Sequence, residues 1–348
     1  MQCSLDISPI IAGRSFHWKK EVDASFPGTF EVSIIENSLL LVNTISFEDY
    51  LSCVVVSEMS SAVPDEFIKA QAIAARSWTV CFFGEKHPGM PFDICNDDDC
   101  QRYHGVTFAT DHALAVANST AGEYLGFQEQ VVPGYYSKGC GGYSESPDEC
   151  FGFPVPGLKA VPDGETSIDP KTEIANWVEI SSDDASKLHC SGQGVSSEMK
   201  RSFLGGVDDD TRHFRWSHET SKELIIKNLQ TKAKQTTAMQ LLSIIPLEYG
   251  SSGRITKLKF EYLDNEKNEQ SYTAESQYEL RSLLHESFLY STAFTFIERE
   301  DSYFFEGAGW GHGVGLCQMG AAFQALKKRS YKEILKTYFP LTEIHKAY

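Results

Sequence analysis

The stretch Ser46-Phe-Glu-Asp-Tyr-Leu-Ser-Cys-Val-Val-Val-Ser-Glu-Met59 decides the fold of the first part of the chain. Ser46 is placed to cap a helix, and at about 100° per residue the helix carries one apolar stripe. That stripe contains Phe47, Leu51, Val54 and Val55. Glu58 falls inside it, where apolar neighbours disfavour the charged form of a carboxyl, as a general acid near neutral pH requires. The alternative is a solvated Glu58 at a fraying helix end, or one paired with Arg76.

Further helical and strand patterns surround this segment and predict a mixed α+β fold rather than a strict βαβ alternation. Two strands are expected over 25–45, around Glu36-Asn37-Ser38, and paired strands over 123–136. Helices are expected over 46–60, 64–83, 110–122, 316–328 and 331–339, the last with a capping box formed by Ser330 and Glu333. In the second helix, Gln71 and Arg76 are polar residues that could contact a ligand or simply lie at the surface.

Composition excludes several classes of protein. The chain has 348 residues, 41% of them hydrophobic, and a net charge of −17. Because nucleic-acid-binding proteins carry a basic footprint, we expect neither nucleic acid nor an anionic membrane surface as a partner. No apolar run approaches the roughly 20 residues of a membrane span. The start, Met1 to Asp6, lacks the features of a signal peptide, which taken literally predicts a cytoplasmic chain unless a leader has been removed.

A glycine-rich segment, Gly309-Trp-Gly-His-Gly-Val-Gly315, alternates glycine with larger side chains. If the segment is extended, every glycine lies on one face, with Trp310 and His312 on the other. A bare glycine face allows a ligand to lie against the backbone, so the segment predicts a binding site. A second glycine cluster, Gly139-Cys140-Gly141-Gly142, is equally typical of a turn between strands.

The nine cysteines of the chain have an odd count and scattered spacing, which argues against a complete disulfide framework. His87, Cys95 and Cys100 lie in one acidic loop, and two thiolates with an imidazole suit Zn²⁺. Free or bridged thiols are the alternative for this set. Cys317 begins a helix, where the dipole favours a thiolate, and His312 precedes it by five residues. A cysteine nucleophile is conceivable there, although a small buried thiol is the favoured interpretation.

Taken together, the motifs resemble those of the SpoIID/LytB family of bacterial cell-wall proteins. The hallmark segment of the family is similar to 51–59 followed by 69–76. Cys100-Gln-Arg-Tyr-His-Gly105 resembles its next motif, and Ser137-Lys-Gly-Cys-Gly-Gly-Tyr-Ser-Glu145 its Gly-Gly motif. The segment 309–321 is similar to its most specific signature. The motifs occur in family order, and the resemblance extends over about residues 30–345.

The resemblance implies an elongated SpoIID-like domain with a groove between two lobes. An N-terminal segment would occupy 1–29 and the domain 30–345, with a catalytic lobe of about 30–165 plus 300–345 and a middle lobe of about 166–299. Glu58 occupies the position of the family's catalytic acid/base. The expected substrate-binding residues are Gln71, Arg76, Tyr103, Ser137, Gly141, Gly142, Trp310, His312 and Gln318. Among them, Trp310 could stack on a sugar ring. The family often has Ser where Cys317 stands.

The activity implied is that of a peptidoglycan lytic transglycosylase, which cleaves the MurNAc-β-1,4-GlcNAc bond of denuded glycan strands and leaves 1,6-anhydroMurNAc ends. No cofactor is required, although some members carry a metal near the region of His87 to Cys100. The alternatives are a non-catalytic wall-binding protein that enhances an N-acetylmuramoyl-L-alanine amidase, as in the LytB branch, and a zinc- or cysteine-dependent hydrolase. The resemblance also implies an extracytoplasmic location in the cell envelope.

Overall fold

The computed structural model describes residues 4–13, 19–171, 174–179, 182–204 and 212–348, so that Cys3 lies outside the described residues. The strands are β1 (Ser4–Ala12), β2 (Lys20–Pro27), β3 (Thr29–Ile35), β4 (Ser38–Thr44), β5 (Glu123–Phe127), β6 (Gln130–Val131), β7 (Tyr136–Ser137), β8 (Arg215–Ser221), β9 (Ala238–Tyr249), β10 (Ile255–Asp264), β11 (Glu269–Ala274), β12 (Phe294–Glu298), β13 (Ser302–Ala308), β14 (Leu316–Cys317) and β15 (Glu343–Lys346). The helices are α1 (Phe47–Glu58), α2 (Asp65–Phe82), α3 (Asp111–Asn118), α4 (Pro147–Phe151), α5 (Ile174–Val178), α6 (Ser182–Ala185), α7 (Ser197–Leu204), α8 (Lys222–Thr231), α9 (Gln277–Leu283), α10 (Gln318–Leu326) and α11 (Tyr331–Tyr338).

The mixed α+β class predicted from the sequence is confirmed, because helices alternate with several small antiparallel sheets. The three-stranded sheets have the orders β11-β10-β9, β12-β13-β8 and β15-β5-β6. The hairpin of β3 and β4 turns at Glu36 and Asn37, whose φ values are 48° and 63°. Among the described helices, none combines the length and the apolar character needed to cross a membrane.

Local capping signals in the sequence set the ends of two helices. The Ser46 hydroxyl accepts a hydrogen bond from the Asp49 N–H, and α1 ends where Met59 turns to an extended conformation. Ser330 and Glu333 form the predicted capping box at the start of α11. Since Ser46 caps α1, the helix begins at Phe47, and Glu58 is its twelfth and last residue. The helical backbone, rather than a loop, therefore sets the direction of the Glu58 side chain.

The two largest apolar clusters of the described residues form a first and a second core, with smaller clusters beside them. In the first core, α1 and α2 pack against α10 and α11, and Phe203 and Leu204 of α7 join them. The second core lies between β8–β13 and α8–α9, and it includes Trp310. The proposed lobe boundaries at about 165 and 300 remain a prediction. The first core draws on both ends of the chain, so that elements far apart in sequence meet around Glu58.

The glycine-rich segment is not extended, and this corrects the prediction of a bare glycine face. Gly309, Gly311, Gly313 and Gly315 have φ values of 82°, 107°, 81° and 75°, which lie in the left-handed region. A Cβ on Gly313 would lie 2.5 Å from Cζ of Arg254. The glycines therefore allow other parts of the protein, rather than a ligand, to approach the backbone.

Candidate active site

The carboxylate of Glu58 is buried at the end of α1, with 7% of the residue exposed. Its Oε1 accepts hydrogen bonds from the backbone N–H of Arg102 (3.0 Å) and from the hydroxyl of Tyr136 (3.2 Å). Its Oε2 lies 3.4 Å from Nε2 of Gln318. Three donors from three separate segments therefore surround one carboxylate, as expected for a buried charge that is held in a single orientation.

The donors reach Glu58 through a short parallel pairing between distant strands. Tyr136 of β7 pairs with Leu316 of β14, and Ser137 pairs with Cys317. Since α10 begins directly after β14, this pairing brings Gln318 and Tyr136 to the same carboxylate. Two residues after Tyr136, the ammonium of Lys138 donates to the backbone carbonyl oxygen of Glu58 at 2.8 Å.

A group of amides extends the site away from the carboxylate. Nε2 of Gln318 lies 3.5 Å from Oε1 of Gln71, which is fully buried on α2. Among the described residues, Nε2 of Gln71 has no hydrogen-bond partner. The Tyr136 hydroxyl also lies 2.7 Å from Oε1 of Gln101, so its single proton is shared between this oxygen and the carboxylate of Glu58. The structure thus combines Glu58 with two of the predicted binding residues, Gln71 and Gln318, and leaves a buried donor available beside them.

Arg76 and Tyr103 have other partners in the structure. The guanidinium of Arg76 forms an ion pair with Glu48 (2.6 Å) and donates to the carbonyl of Glu123 (2.9 Å), so the considered pairing of Glu58 with Arg76 is not formed. Burial is the largest single effect on Glu48 and raises the pKa of its carboxyl group. The hydrogen bonds that it accepts and its attraction to Arg76 together outweigh burial and lower the pKa below its ordinary value. The Tyr103 hydroxyl donates to Oδ1 of Asn43 at 2.6 Å. In this conformation, neither side chain contacts the Glu58 carboxylate.

Trp310 and His312 are likewise engaged by the protein. The Trp310 ring is 5% exposed and packs edge-on against Tyr290 with the ring centroids 5.6 Å apart, so it offers no open face to a sugar here. Nδ1 of His312 accepts a hydrogen bond from the Val314 N–H at 3.0 Å. Burial, together with the charges of two arginines, lowers the pKa of His312 to about 3, and the imidazole is neutral at neutral pH.

Ser137 is the last residue of β7, and Gly141 and Gly142 lie in the loop that follows it. Ser137 is 6% exposed, and its hydroxyl has no hydrogen-bond partner in the described parts of the chain. A Cβ on Gly141 would lie 2.5 Å from the backbone nitrogen of Gly309, and one on Gly142 would meet the side chain of Leu188. Both glycines permit close packing within the protein. The Ser137 hydroxyl remains the candidate ligand-binding group among these three residues.

The predicted zinc ligands converge next to the site. One ligand atom each of His87, Cys95, Asp99 and Cys100 lies within 4.8 Å of all the others, with Nε2 of His87 at 3.2 Å from Sγ of Cys100. The hydrogen bond from Cys100 lowers the pKa of Cys95 to about 5, against the opposing effect of burial. Two sulfurs, one imidazole and one carboxylate match the donors that Zn²⁺ takes in tetrahedral sites. Asp99 was not part of the predicted set.

A surface cavity of about 420 Å³ lies beside the end of α1. It is lined by Ser57, Met59, the loop after α1, the segment before α3 and the last turn of α7, whereas Glu58 is not among its lining residues. The Glu58 carboxylate thus does not face this cavity and is covered by its own hydrogen-bond partners. A substrate would have to displace or reorient those partners to reach Glu58.

Sequence reasoning missed several residues that contact Glu58 or its partners. Tyr136 precedes the Gly-Gly motif, Lys138 lies within it, and Gln101 follows Cys100 in the motif before it. The sequence signal that could have identified these three residues is their position in, or directly beside, motifs that resemble those of the family. Their roles depend on the β7–β14 pairing, which two residues per strand do not make visible in sequence.

Comparisons with known proteins give two matched families and two relatives. Residues 35–127 match the family described as SpoIID, Stage II sporulation protein, and residues 154–315 match a domain of unknown function, DUF8618. An uncharacterized protein of Brachyspira hyodysenteriae is 27% identical over 305 residues, which are 87% of this chain and 67% of that protein. A Bacillus subtilis protein named amidase enhancer is 28% identical over 307 residues, covering 84% of this chain and 40% of that relative.

The segment that carries Glu58 therefore belongs to the SpoIID family, and the resemblance inferred from the motifs is confirmed. The matched segment includes α1, α2 and the loop with His87, Cys95 and Cys100. The chain as a whole has a mixed α+β fold, and its SpoIID match covers residues 35–127.

Proposed function

We propose that the chain is a peptidoglycan lytic transglycosylase of the cell envelope that cleaves the MurNAc-β-1,4-GlcNAc bond, with Glu58 as general acid and base. The observation that carries the proposal is the buried Glu58 carboxylate surrounded by donors from three segments. Membership of the SpoIID family and the relative named amidase enhancer support the coarser part, an association with the cell wall.

The reaction needs one proton donor that later accepts a proton. Protonated Glu58 would give its proton to the bridging oxygen as the bond from C1 of MurNAc to that oxygen breaks. The resulting carboxylate would take the proton from the 6-hydroxyl of the same sugar as O6 bonds to C1. The products are a GlcNAc end and a 1,6-anhydroMurNAc end, and no water is consumed.

A hydrolytic glycosidase would instead need a second carboxylate for the nucleophile or for activating water. A candidate acid for this role is Asp98, in the loop that leads to Arg102, whose N–H donates to Glu58. Its Oδ1 lies 3.6 Å from Nε of Arg102, and this ion pair engages the carboxylate, which favours the mechanism with one acid. Substitution Asp98→Asn is expected to leave anhydro products in place, whereas a hydrolase would lose its activity.

The decisive test is the Glu58→Gln variant on glycan strands from amidase-treated sacculi, with products identified by mass spectrometry. We expect anhydro-ended fragments from the wild type and a loss of at least a hundredfold in the variant, since general acid catalysis contributes about 10²–10⁴-fold. Glu31→Gln, the same change at an exposed strand position, is the control. Unchanged product formation by Glu58→Gln would refute the catalytic role.

A second candidate is an amidase-enhancing protein without activity on glycan, which the name of the Bacillus relative favours. It predicts that no anhydro product forms and that stimulation of an amidase is the same for wild type and Glu58→Gln. Measuring both products and stimulation on one preparation separates the two functions.

We further propose that His87, Cys95, Asp99 and Cys100 hold a zinc ion. Their donor atoms fit the metal, as described, and the ion would supply a cross-link within the loop that leads to Arg102. The backbone N–H of Arg102 would then be held against Glu58 by a braced loop. Metal analysis before and after the paired change Cys95→Ser and Cys100→Ser tests this assignment, and zinc content that does not fall would refute it.

A further inference from the structure

A second cluster of buried ligand-type side chains lies outside the Glu58 site. Cys140, Asp163, Cys190 and Cys317 each have 0% of their surface exposed. One ligand atom from each lies within 4.8 Å of the other three. Cys140 lies in the loop after β7, called the Gly-Gly loop because it contains Gly141 and Gly142, and Asp163 lies in the loop after α4. Cys190 lies in the 3-10 turn His189–Ser191, and Cys317 directly precedes α10. Three cysteine sulfurs and one carboxyl group thus meet in the interior, where a cation would offset the negative charge that they carry as thiolates and carboxylate.

The spacing of the sulfurs suits a metal better than a disulfide. Sγ of Cys140 and Sγ of Cys190 are 3.9 Å apart. A disulfide requires about 2.05 Å between its sulfurs, whereas two sulfurs bound tetrahedrally at about 2.3 Å from one zinc ion lie about 3.8 Å apart. A disulfide would also leave the third cysteine of the group without a partner.

Backbone N–H groups point at two of the sulfurs. The amides of Cys140 and Gly320 lie 3.2 Å and 3.4 Å from Sγ of Cys317, and the amide of Gly142 lies 3.4 Å from Sγ of Cys140. Donors of this kind stabilise negative charge on sulfur and orient metal ligands. The surroundings of the sulfurs are therefore already arranged for thiolates.

Hydrogen bonds to both oxygens fix the orientation of the Asp163 carboxyl group. One oxygen accepts a hydrogen bond from the N–H of Cys190 at 2.5 Å, and the other accepts from the hydroxyl of Tyr338. A Cβ on Gly320 would lie 2.5 Å from Oδ1 of Asp163, so a glycine is needed for the carboxyl group to approach α10. Orientation by a tyrosine and a backbone amide is typical of the second shell of a metal site.

We propose that Cys140, Asp163, Cys190 and Cys317 form a structural zinc site. Binding would replace the protons of the three thiols, which are released to solvent. The ion would join the Gly-Gly loop to α10. Because Lys138 and Gln318 flank the site in sequence and contact Glu58, the ion would also keep both contacts in register. The site does not depend on the proposed glycan reaction.

The experiment is carried out on the full chain with Cys95→Ser and Cys100→Ser in place, which removes two ligands of the other candidate site. We expect this background protein, purified under reducing conditions, to retain one zinc per chain by elemental analysis. Adding Cys190→Ala should reduce the zinc to a small fraction of one. Adding Cys53→Ala, the same change at a buried cysteine outside the cluster, should not.

A spectroscopic measurement on the background protein avoids relying on a variant that fails to fold. Replacement of zinc by Co²⁺ should produce sulfur-to-cobalt charge-transfer absorption and the strong visible bands of a tetrahedral site. Absence of zinc together with absence of these bands would overturn the proposal. So would a Cys140–Cys190 disulfide detected by mass spectrometry after alkylation, or iron in place of zinc.

Discussion

At the scale of single residues, the site depends on how a carboxylate is held within a hydrophobic core. Glu58 has apolar residues of α1 on either side, and its charge is met by polar groups from outside the helix. Arg102 and Gln318 are themselves buried and Tyr136 is partly buried, so removing one of these donors changes the surroundings of the carboxylate. Substitutions that preserve volume therefore separate the chemical role of a donor from its packing.

Gln318→Met retains the volume of the side chain and removes the donor at 3.4 Å from the carboxylate. A hydrogen bond to a charged group contributes about 1.5–3 kcal/mol, so we expect kcat to fall roughly tenfold to a hundredfold. Gln324→Met, the same change at a buried position of α10, is the control. The measurement is the rate of anhydro-product release per folded molecule, and equal rates for the two variants would contradict the role of Gln318.

Glu145 provides a prediction about pH and stability. Burial raises the pKa of Glu145 to about 7 from its ordinary 4.5, although Arg254 and a hydrogen bond from Ser252 oppose the rise. Between these values the folded state binds a proton that the unfolded state has released. The free energy of unfolding should therefore fall as pH rises from about 4.5 to 7, by at most about 3 kcal/mol.

The comparison of wild type with Glu145→Gln isolates this contribution. Urea unfolding at about pH 5 and about pH 7.5 should show a smaller stability difference in the variant than in the wild type. An identical pH dependence in the two proteins would show that Glu145 titrates at the same pH folded and unfolded.

At the scale of elements, the glycine-rich connection between β13 and β14 shows how backbone conformation serves packing. Its glycines have positive φ and approach the Gly-Gly loop and Arg254. Arg254 in turn donates to the carbonyl groups of Cys140 (2.8 Å) and Tyr143 (3.0 Å). The two glycine-containing segments and this buried guanidinium therefore form one unit that positions both β7 and β14.

Gly313→Ala and Gly152→Ala form a matched pair. Both glycines have φ of 81°, but a Cβ on Gly313 would lie 2.5 Å from Arg254, whereas one on Gly152 has nothing within 4 Å. We expect Gly152→Ala to cost about 1–2 kcal/mol from the left-handed conformation alone. Gly313→Ala should cost about 1–3 kcal/mol more through overpacking. Equal losses of unfolding free energy for the two variants would show that the Arg254 side chain can move aside without destabilising the protein.

At the scale of the whole molecule, the two ends of the chain complete one core. Leu316, Met319 and Phe323 pack with Val55 and Phe67 in the first core. The second core is connected to it through Glu145, which accepts a hydrogen bond from the Ser252 hydroxyl at 2.6 Å. Taken alone, the segment that matches the SpoIID family would therefore be without the C-terminal helices that complete its hydrophobic core.

A fragment of residues 19–165 should not fold by itself, because it lacks α10, α11 and the donor Gln318. We expect it to show no cooperative thermal transition, whereas the full chain unfolds with α1 and α10 in one transition. Circular dichroism and calorimetry on both proteins provide the measurement. Cooperative unfolding of the fragment would indicate that the first core is complete without the C-terminal helices.

The sequence by itself determined the local elements and singled out Glu58 as the candidate acid. Period and capping residues predicted α1 and α11, because both signals act within a few residues. The family motifs identified Glu58, Gln71 and Gln318 as site candidates, and the structure places these three together. The spacing within one loop was sufficient to propose His87, Cys95 and Cys100 as ligands.

Only the tertiary structure decided what the distant segments do for one another. The alternating glycines predicted an open face, but their left-handed conformations depend on what packs against them. Tyr136 and Lys138 became partners of Glu58 through a pairing of two-residue strands. The cluster of Cys140, Asp163, Cys190 and Cys317 has no spacing pattern at all. Such contacts join residues far apart in the chain, and the free energy that selects them comes from the burial of the complete core rather than from local sequence.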